Sequence, residues 1–356
     1  MNFQTPAPKP VRQCLLALAL AAALSPAQAD ILAGQIGSLQ TLNTVSRFDD
    51  SQSGNVPPAG VLGGPGSTLT DAGSLYYDDF AGELWVSDFF GQQVAVFDIG
   101  AEGQTAPKRR FNSPGMGQPR TMAIVGNRSE VAVITSLCCI TFYPYAASGP
   151  TAPLRNIAWG GGGGSQTELN NPNGMAYSSA LDRLWVADSR AVNGVSKGRV
   201  LVFDRLAGGT APPLAVLEGP LTEFGGAAAA VAIDEAGAEI YVLAADAFGG
   251  PGAFAVSVFG LGQTGNVAPR RRIAGLRTGL ANASDLSLDV ERRELIVASG
   301  AYSSTPTLQV FPIGGDGDIA PVRTISGAAA GAGGGWYAVH AVPPRTLVFR
   351  SGFEAQ

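Results

Sequence analysis

Apolar residues along the chain fall in runs of about five, and each run ends on a polar or turn-forming residue. Leu84-Trp85-Val86-Ser87-Asp88 is followed by Val94-Ala95-Val96-Phe97-Asp98. Leu184-Trp185-Val186-Ala187-Asp188 is followed in the same way by Val200-Leu201-Val202-Phe203-Asp204. Gly, Pro, Asn and Asp stand between the runs, and each has a physical reason to sit in a turn. Short runs rich in Val, Ile, Phe and Trp with such borders predict β-strands. No stretch holds the 3.6-residue period of an amphipathic helix, which excludes a helical solenoid.

The runs repeat in groups of four. An aromatic residue ends the third run of each group, at Phe48, Phe97, Tyr143, Phe203, Phe259 and Phe311. A proline follows about ten residues later, at Pro58, Pro107, Pro153, Pro212, Pro269 and Pro321, mostly within a Gly-x-x-Ala-Pro step. In one unit the strands fall at 229–233 (a), 240–243 (b), 254–259 (c) and 270–273 (d). Four short antiparallel strands per unit, six times over, predict an all-β, six-bladed β-propeller. The N-terminal piece offers only c (44–48) and d (Val61-Leu62), and the C-terminal piece only a (336–340) and b (345–349). A sixth blade closed two-plus-two by the termini is therefore expected, because closure removes open sheet edges.

The b-to-c segment LWVSDFFGQQVAVFD, residues 84–98, resembles the NHL repeat, whose units read roughly LYVAD…NRVxVFD. Asn171-Pro172-Asn173-Gly174-Met175-Ala176 resembles the NHL entry into strand a. The resemblance implies the propeller fold and says little about activity, since propellers host unrelated functions.

Composition and charge narrow the setting. Residues 1–29 carry Lys9 and Arg12, an apolar run from Cys14 to Leu24, and Ala27-Gln28-Ala29. That is the layout of a secretory signal peptide with cleavage expected before Asp30. The run is too short to span a bilayer, which needs about 20 residues. Its removal changes 23 basic against 28 acidic residues to 21 against 28. An acidic chain argues against nucleic acid as partner, and no apolar run suits a membrane span. The expected product is an exported monomer, periplasmic, cell-surface or extracellular, with one propeller domain at 30–350 and a short tail at 351–356. That tail carries Gly352-Phe353-Glu354 and resembles an ending seen on exported bacterial proteins. Cys138 and Cys139 are either two thiols on opposite faces of a strand or a strained vicinal disulfide.

Variation between repeats points to one face. In an antiparallel meander the b–c loops and d–a crossovers share one face of the disc. The b–c loops are long at 188–198, 245–252 and 299–306, and the crossover at 160–173 holds five consecutive glycines. Unequal loops on a rigid scaffold are where binding usually resides. Arg120, Asn171, Asn173 and Asn282 fall just before strand a, and Trp159 and Trp336 near crossovers, as candidate ligand contacts. The Arg-rich d strands (Lys108-Arg109-Arg110, Arg270-Arg271-Arg272) read as edge protection. Asp88 and Asp188 read as turn caps. The lone histidine, His340, excludes a multi-histidine zinc site.

Two functions fit these residues. The first is a binding module for a protein, peptide or glycan, with no cofactor. The second is a divalent-metal lactonase or esterase holding Ca²⁺ on Asp71, Asn173 and Asp285, since a ring of carboxylate and amide oxygens suits that ion. Gluconolactonase-type and arylesterase-type propellers hold a central ion in this manner, but their ligand motifs do not match here residue by residue.

Overall fold

The computed structural model describes residues 30–36, 45–136, 139–158, 166–250, 252–300, 305–331 and 335–343. Residues 1–29, Trp159, Cys138, the glycines at 160–164, the expected strand at 345–349 and the tail lie outside them. Cys139 is disulfide-bonded.

Six antiparallel sheets make six blades, and we name their strands a to d from the channel outward. Blade 1 is Ser74–Asp78, Glu83–Asp88, Gln93–Asp98 and Arg109–Asn112. Blade 2 is Pro119–Val125, Glu130–Thr135, Cys139–Pro144 and Arg155–Ile157. Blade 3 is Gly174–Ser178, Arg183–Val192, Val195–Asp204 and Ala215–Leu217. Blade 4 is Phe224–Asp234, Glu239–Asp246, Phe254–Gly260 and Arg271–Ile273. Blade 5 is Asp285–Asp289, Glu294–Ser299, Thr307–Pro312 and Arg323–Ser326.

Blade 6 closes the ring, and not as two-plus-two. Its strand a is Trp336–Val342, while Asp30–Gln35, Val45–Asp49 and Gly60–Leu62 supply b, c and d. The closure is therefore one C-terminal strand against three N-terminal ones. The run Asp30-Ile31-Leu32-Ala33-Gly34-Gln35 pairs on both edges, with Ile31 opposite Phe48 on one side and Ala341 on the other. It lacks the Leu-Trp-Val-x-Asp pattern that marks strand b in blades 1 and 3, so the repeat signature passes over it. Its Ile31, Leu32 and Ala33 are nonetheless buried.

The core is a ring of six slabs, one between each pair of neighbouring blades. Each repeated aromatic packs back on the preceding blade: Phe97 joins Leu62, Phe203 joins Ile157, and Phe311 joins Ile273. Leu62, Phe111, Ile157, Leu217, Ile273 and Ile325, all on d strands, face the following blade.

The glycine of the c–d connection stitches the same seams. Gly103, Gly149, Gly209, Gly265 and Gly317 each bridge in parallel to the d strand of the preceding blade, at Leu62, Phe111, Ile157, Leu217 and Ile273. Gly54 bridges to Ile325 and completes the circle. The N–H of Gly103 donates to Val61 O at 2.7 Å, and the N–H of Gly63 donates to Gly103 O at 2.8 Å. All six glycines have φ between 58° and 85°. A Cβ at any of them would meet nothing within 4 Å, so backbone conformation and not crowding demands glycine there. The following side chain adds a second stitch. Asn266, Asp318 and Asn55 accept the N–H of Leu221, Arg277 and Ala329 at 2.7, 2.7 and 2.8 Å, capping the short 3₁₀ turns that open three crossovers.

The outer-strand arginines are ion-pair partners as well as charges on an outermost strand. Arg109, Arg155, Arg271 and Arg323 each make two bonds of 2.6–2.9 Å to Glu83, Glu130, Glu239 and Glu294, the first residues of strand b. Each pair spans strand c and staples a blade from b to d. Burial alone would raise Glu83, yet the bonds from Arg109 and Lys108 hold it down at about 2.

The seam predicts a graded substitution series. Gly265→Ala should destabilise the protein by about 1–2 kcal/mol, because an L-residue enters the left-handed region at that cost. Gly265→Asn should lose less, since Asn tolerates that region. Urea denaturation checks both, and equal stability of all three proteins would show that conformation at the seam is unimportant.

Candidate functional site

The d–a crossovers deliver side chains to one end of the channel. In four of them, before Pro65, Pro220, Leu276 and Ala328, a glycine with φ of 88–127° turns the chain into the 3₁₀ turn. Ser67, Thr222 and Thr278 then lock three of those turns, each hydroxyl donating to the glycine carbonyl at 2.7 Å. Buried aspartates tie the crossovers to the ends of strand b. Asp88 accepts the N–H of Thr70, Asp71 and Gly91, and Asp188 accepts the N–H of Asn170 and Asn171 together with Arg199 Nε. Both aspartates are thus turn caps.

The channel mouth on this face is a cavity of about 300 Å³ lined from all six blades. Residues near the start of strand a supply Ser74, Thr121, Gly174, Ala229, Asp285 and Tyr337, with Ala229 and Tyr337 one register step before the others, beside irregular a–b pairing in blades 4 and 6. Arg120, Asn173, Asn282 and Phe254 complete the wall. Arg120 Nη1 donates to Asn173 Oδ1 at 2.7 Å, and Asn173 Nδ2 donates to the carbonyls of Asn171 and Ala228. Two further cavities, of about 230 and 380 Å³, continue down the channel past His340 and Tyr76 to Asp78, Arg128 and Glu235.

Four residues expected from the sequence therefore meet at one mouth: Arg120, Asn173, Asn282 and Asp285. Others do not. Asn171 stands outside the mouth lining, its amide directed at Ser189 Oγ. Trp336 is a core residue with no exposed surface and meets Phe48 edge-on at 5.7 Å. Its place in strand a of the closing blade turns the indole into the seam between blades 5 and 6. Asp71 is fully buried away from the mouth, its carboxylate accepting the N–H of Phe89 and Phe90 at 2.7 and 2.8 Å.

The donor set does not fit a central Ca²⁺. Of the three expected ligands only Asn173 and Asp285 share the mouth. Asp285 already accepts the N–H of Leu286 and Val339 at 2.9 and 3.0 Å. Among the described residues, no three His, Cys, Asp or Glu side chains cluster as a metal site.

Sequence reading missed Phe254, Tyr337, Ser74 and Thr121. Ser74 begins strand a of blade 1, while Thr121 and Tyr337 stand third and second in theirs, so a search of the first three residues of each strand a would have found them. The segment at 188–198 is also no irregular loop. Strands b and c of blade 3 run on as a ten-residue hairpin, closed by Asn193-Gly194 with φ of 52° and 78°. Asn-Gly between Val192 and Val195 is the sequence signal for a type I′ turn. The hairpin carries Val192 and Val195 exposed beyond the mouth face.

No family model matches the chain, and no curated protein matches it. Solved structures match by fold. A chain of a nidogen/laminin complex superposes with a TM-score of 0.58 at 12% identity, covering 88% of this chain and 98% of that one. The β-propeller domain of Cps50 (Swd1) from Myceliophteria thermophila gives 0.51 at 12% identity, covering 85% and 86%. At such identities the likeness establishes the propeller architecture and no more.

Two half-buried groups of the channel titrate in opposite directions. Burial lowers His340 from 6.5 to about 4, against a backbone hydrogen bond at Leu75. Its contribution to stability is complete above pH 6.5 and is lost as pH falls towards 4. Burial raises Asp285 from 3.8 to about 7, against the bonds from Val339 and Leu286. Its contribution is complete below pH 3.8 and is lost as pH rises through 7. The Tm of His340→Gln relative to wild type should therefore climb as pH falls from 6.5 to 4. That of Asp285→Asn should climb as pH rises from 4 to 7. Thermal melts across this range check both, and flat differences would refute the shifts.

Proposed function

We propose that the protein is an exported propeller binding module, engaging a protein, peptide or glycan through the face that carries the b–c loops and d–a crossovers. The observation that carries this reading is the mouth, where all six blades present unlike side chains around one concavity. A polar arc from Arg120 to Asn173 stands beside the apolar Phe254, Ala227 and Ala229. Pockets of this kind combine apolar walls with a few placed polar groups. The blade 3 hairpin extends the same face with exposed valines. The nidogen/laminin match is a fold likeness to a chain solved in a protein complex, which is compatible with a protein partner. Cleavage before Asp30 would leave the closing blade whole, because its strand b begins at that residue.

A peptide array and a glycan array probed with mature protein test this reading. Ligands should appear on one of them. Ala227→Trp, which fills the mouth, should weaken their binding at least tenfold. Leu181→Lys, on an a–b turn at the opposite face, should leave it unchanged. Ligands insensitive to Ala227→Trp, or no ligand on either array, would refute it.

A further inference from the structure

Resting on the reading of the mouth as the binding site, we infer that it recognises an organic carboxylate through Arg120, with a small apolar body seated against blade 4. The buried and half-buried arginines elsewhere in the blades show what is unusual about Arg120. Arg199 pairs with Asp188 and Glu168, Arg272 with Asp246 and Glu223, and Arg190 with Glu218. Arg109, Arg155, Arg271 and Arg323 pair with glutamates. Arg120 is half-buried in a concave site, and no carboxylate of the described residues lies within ion-pair distance of it. A guanidinium drawn out of water without a counter-charge is costly, and an incoming anion offsets that cost.

The guanidinium is also held ready. A guanidinium carries five N–H donors, and Arg120 spends one on Asn173 Oδ1 at 2.7 Å. The Asn173 amide is itself fixed by two backbone carbonyls, so it serves as an anchor and offers no free donor. The remaining fork can take a carboxylate through two parallel bonds, which is the geometry that suits Arg and not Lys. Thr121 and Ser74, 3.4 Å apart on the same side, add hydroxyl donors. Asp285 is on blade 5, three blades from Arg120 and so across the channel. With its carboxyl raised to about 7 by burial, it leaves the mouth positive below neutrality. Tyr337 stands beside Asp285, and His340 below it is neutral in that range. Phe254, Ala227 and Ala229 supply an apolar wall, and about 300 Å³ limits the occupant to a terminal residue or two, or a small free acid.

Isothermal titration with three probes tests the inference on the full mature protein. The probes are acetylated alanyl-phenylalanine as the free acid, the same dipeptide as its C-terminal amide, and 3-phenylpropionate. The free-acid dipeptide should bind at least tenfold more tightly than the amide. Arg120→Gln should abolish that preference and Arg120→Lys should reduce it. Binding of 3-phenylpropionate equal to that of the dipeptide acid would identify a free small acid as sufficient. Dipeptide binding alone would identify a peptide terminus. Equal binding of acid and amide, both lost in Ala227→Trp, would overturn the carboxylate inference and leave the mouth as the site. Array ligands that depend on the mouth, together with no binding of any probe, would overturn it in the same way. Binding unaffected by Ala227→Trp would overturn both.

Discussion

The ring stands on one repeated seam between blades. At each seam an apolar d-strand residue of one blade meets an aromatic c-strand residue of the next. A positive-φ glycine of that next blade hydrogen-bonds to the same d strand. Side-chain packing and backbone pairing thus act at the same place. A blade alone would leave both faces of its sheet and its outer edge open to water, which is the condition that sheets avoid. Stacking and stitching remove both exposures, and the circle is complete because Gly54 reaches Ile325.

That seam explains the placement of charge. Both faces of each blade are used for packing, so ionised side chains are confined to turns, rims and the channel. The bidentate Glu–Arg pairs lie at the start of strand b and on strand d, where they brace the sheet edge without interrupting a seam. Buried aspartates such as Asp88 and Asp188 spend their oxygens on crossover N–H groups and so fix the loops above the channel. His340 and Asp285 lie where the seam architecture leaves a central void, together with Tyr76.

A rigid and nearly uniform backbone also makes the mouth what it is. The starts of the six strands a converge on one axis, and there the repeat is not obeyed: Ser74, Thr121, Gly174, Ala229, Asp285 and Tyr337 differ in size, polarity and charge, and two of them are also displaced by one residue beside irregular pairing. Uniform seams and non-uniform axial residues are two halves of one arrangement. The seams hold the axial positions still, and this lets an unpaired Arg120 keep a defined direction through Asn173.

The fold was legible in the chain because its period is physical. The aromatics from Phe48 to Phe311 and the Gly-x-x-Ala-Pro steps recur where every seam needs the same volume and the same left-handed backbone, and these alone specify six four-stranded blades. Part of the site was legible too, since Arg120, Asn173, Asn282 and Asp285 precede or begin strand a, and that position leads to the axis. Three matters were decided only in three dimensions. Closure used Asp30–Gln35 as strand b, because its pairing with strand a depends on partners just over 300 residues away and not on a local signature. Trp336 and Asp71 went to the interior, because which way a strand or crossover residue faces depends on the neighbouring blade. The outer arginines found glutamates 25 to 32 residues earlier, a pairing across strand c that composition registers only as charge. Sequence fixes a residue's place within its own repeat. Packing between repeats fixes whether that place is core, seam or site.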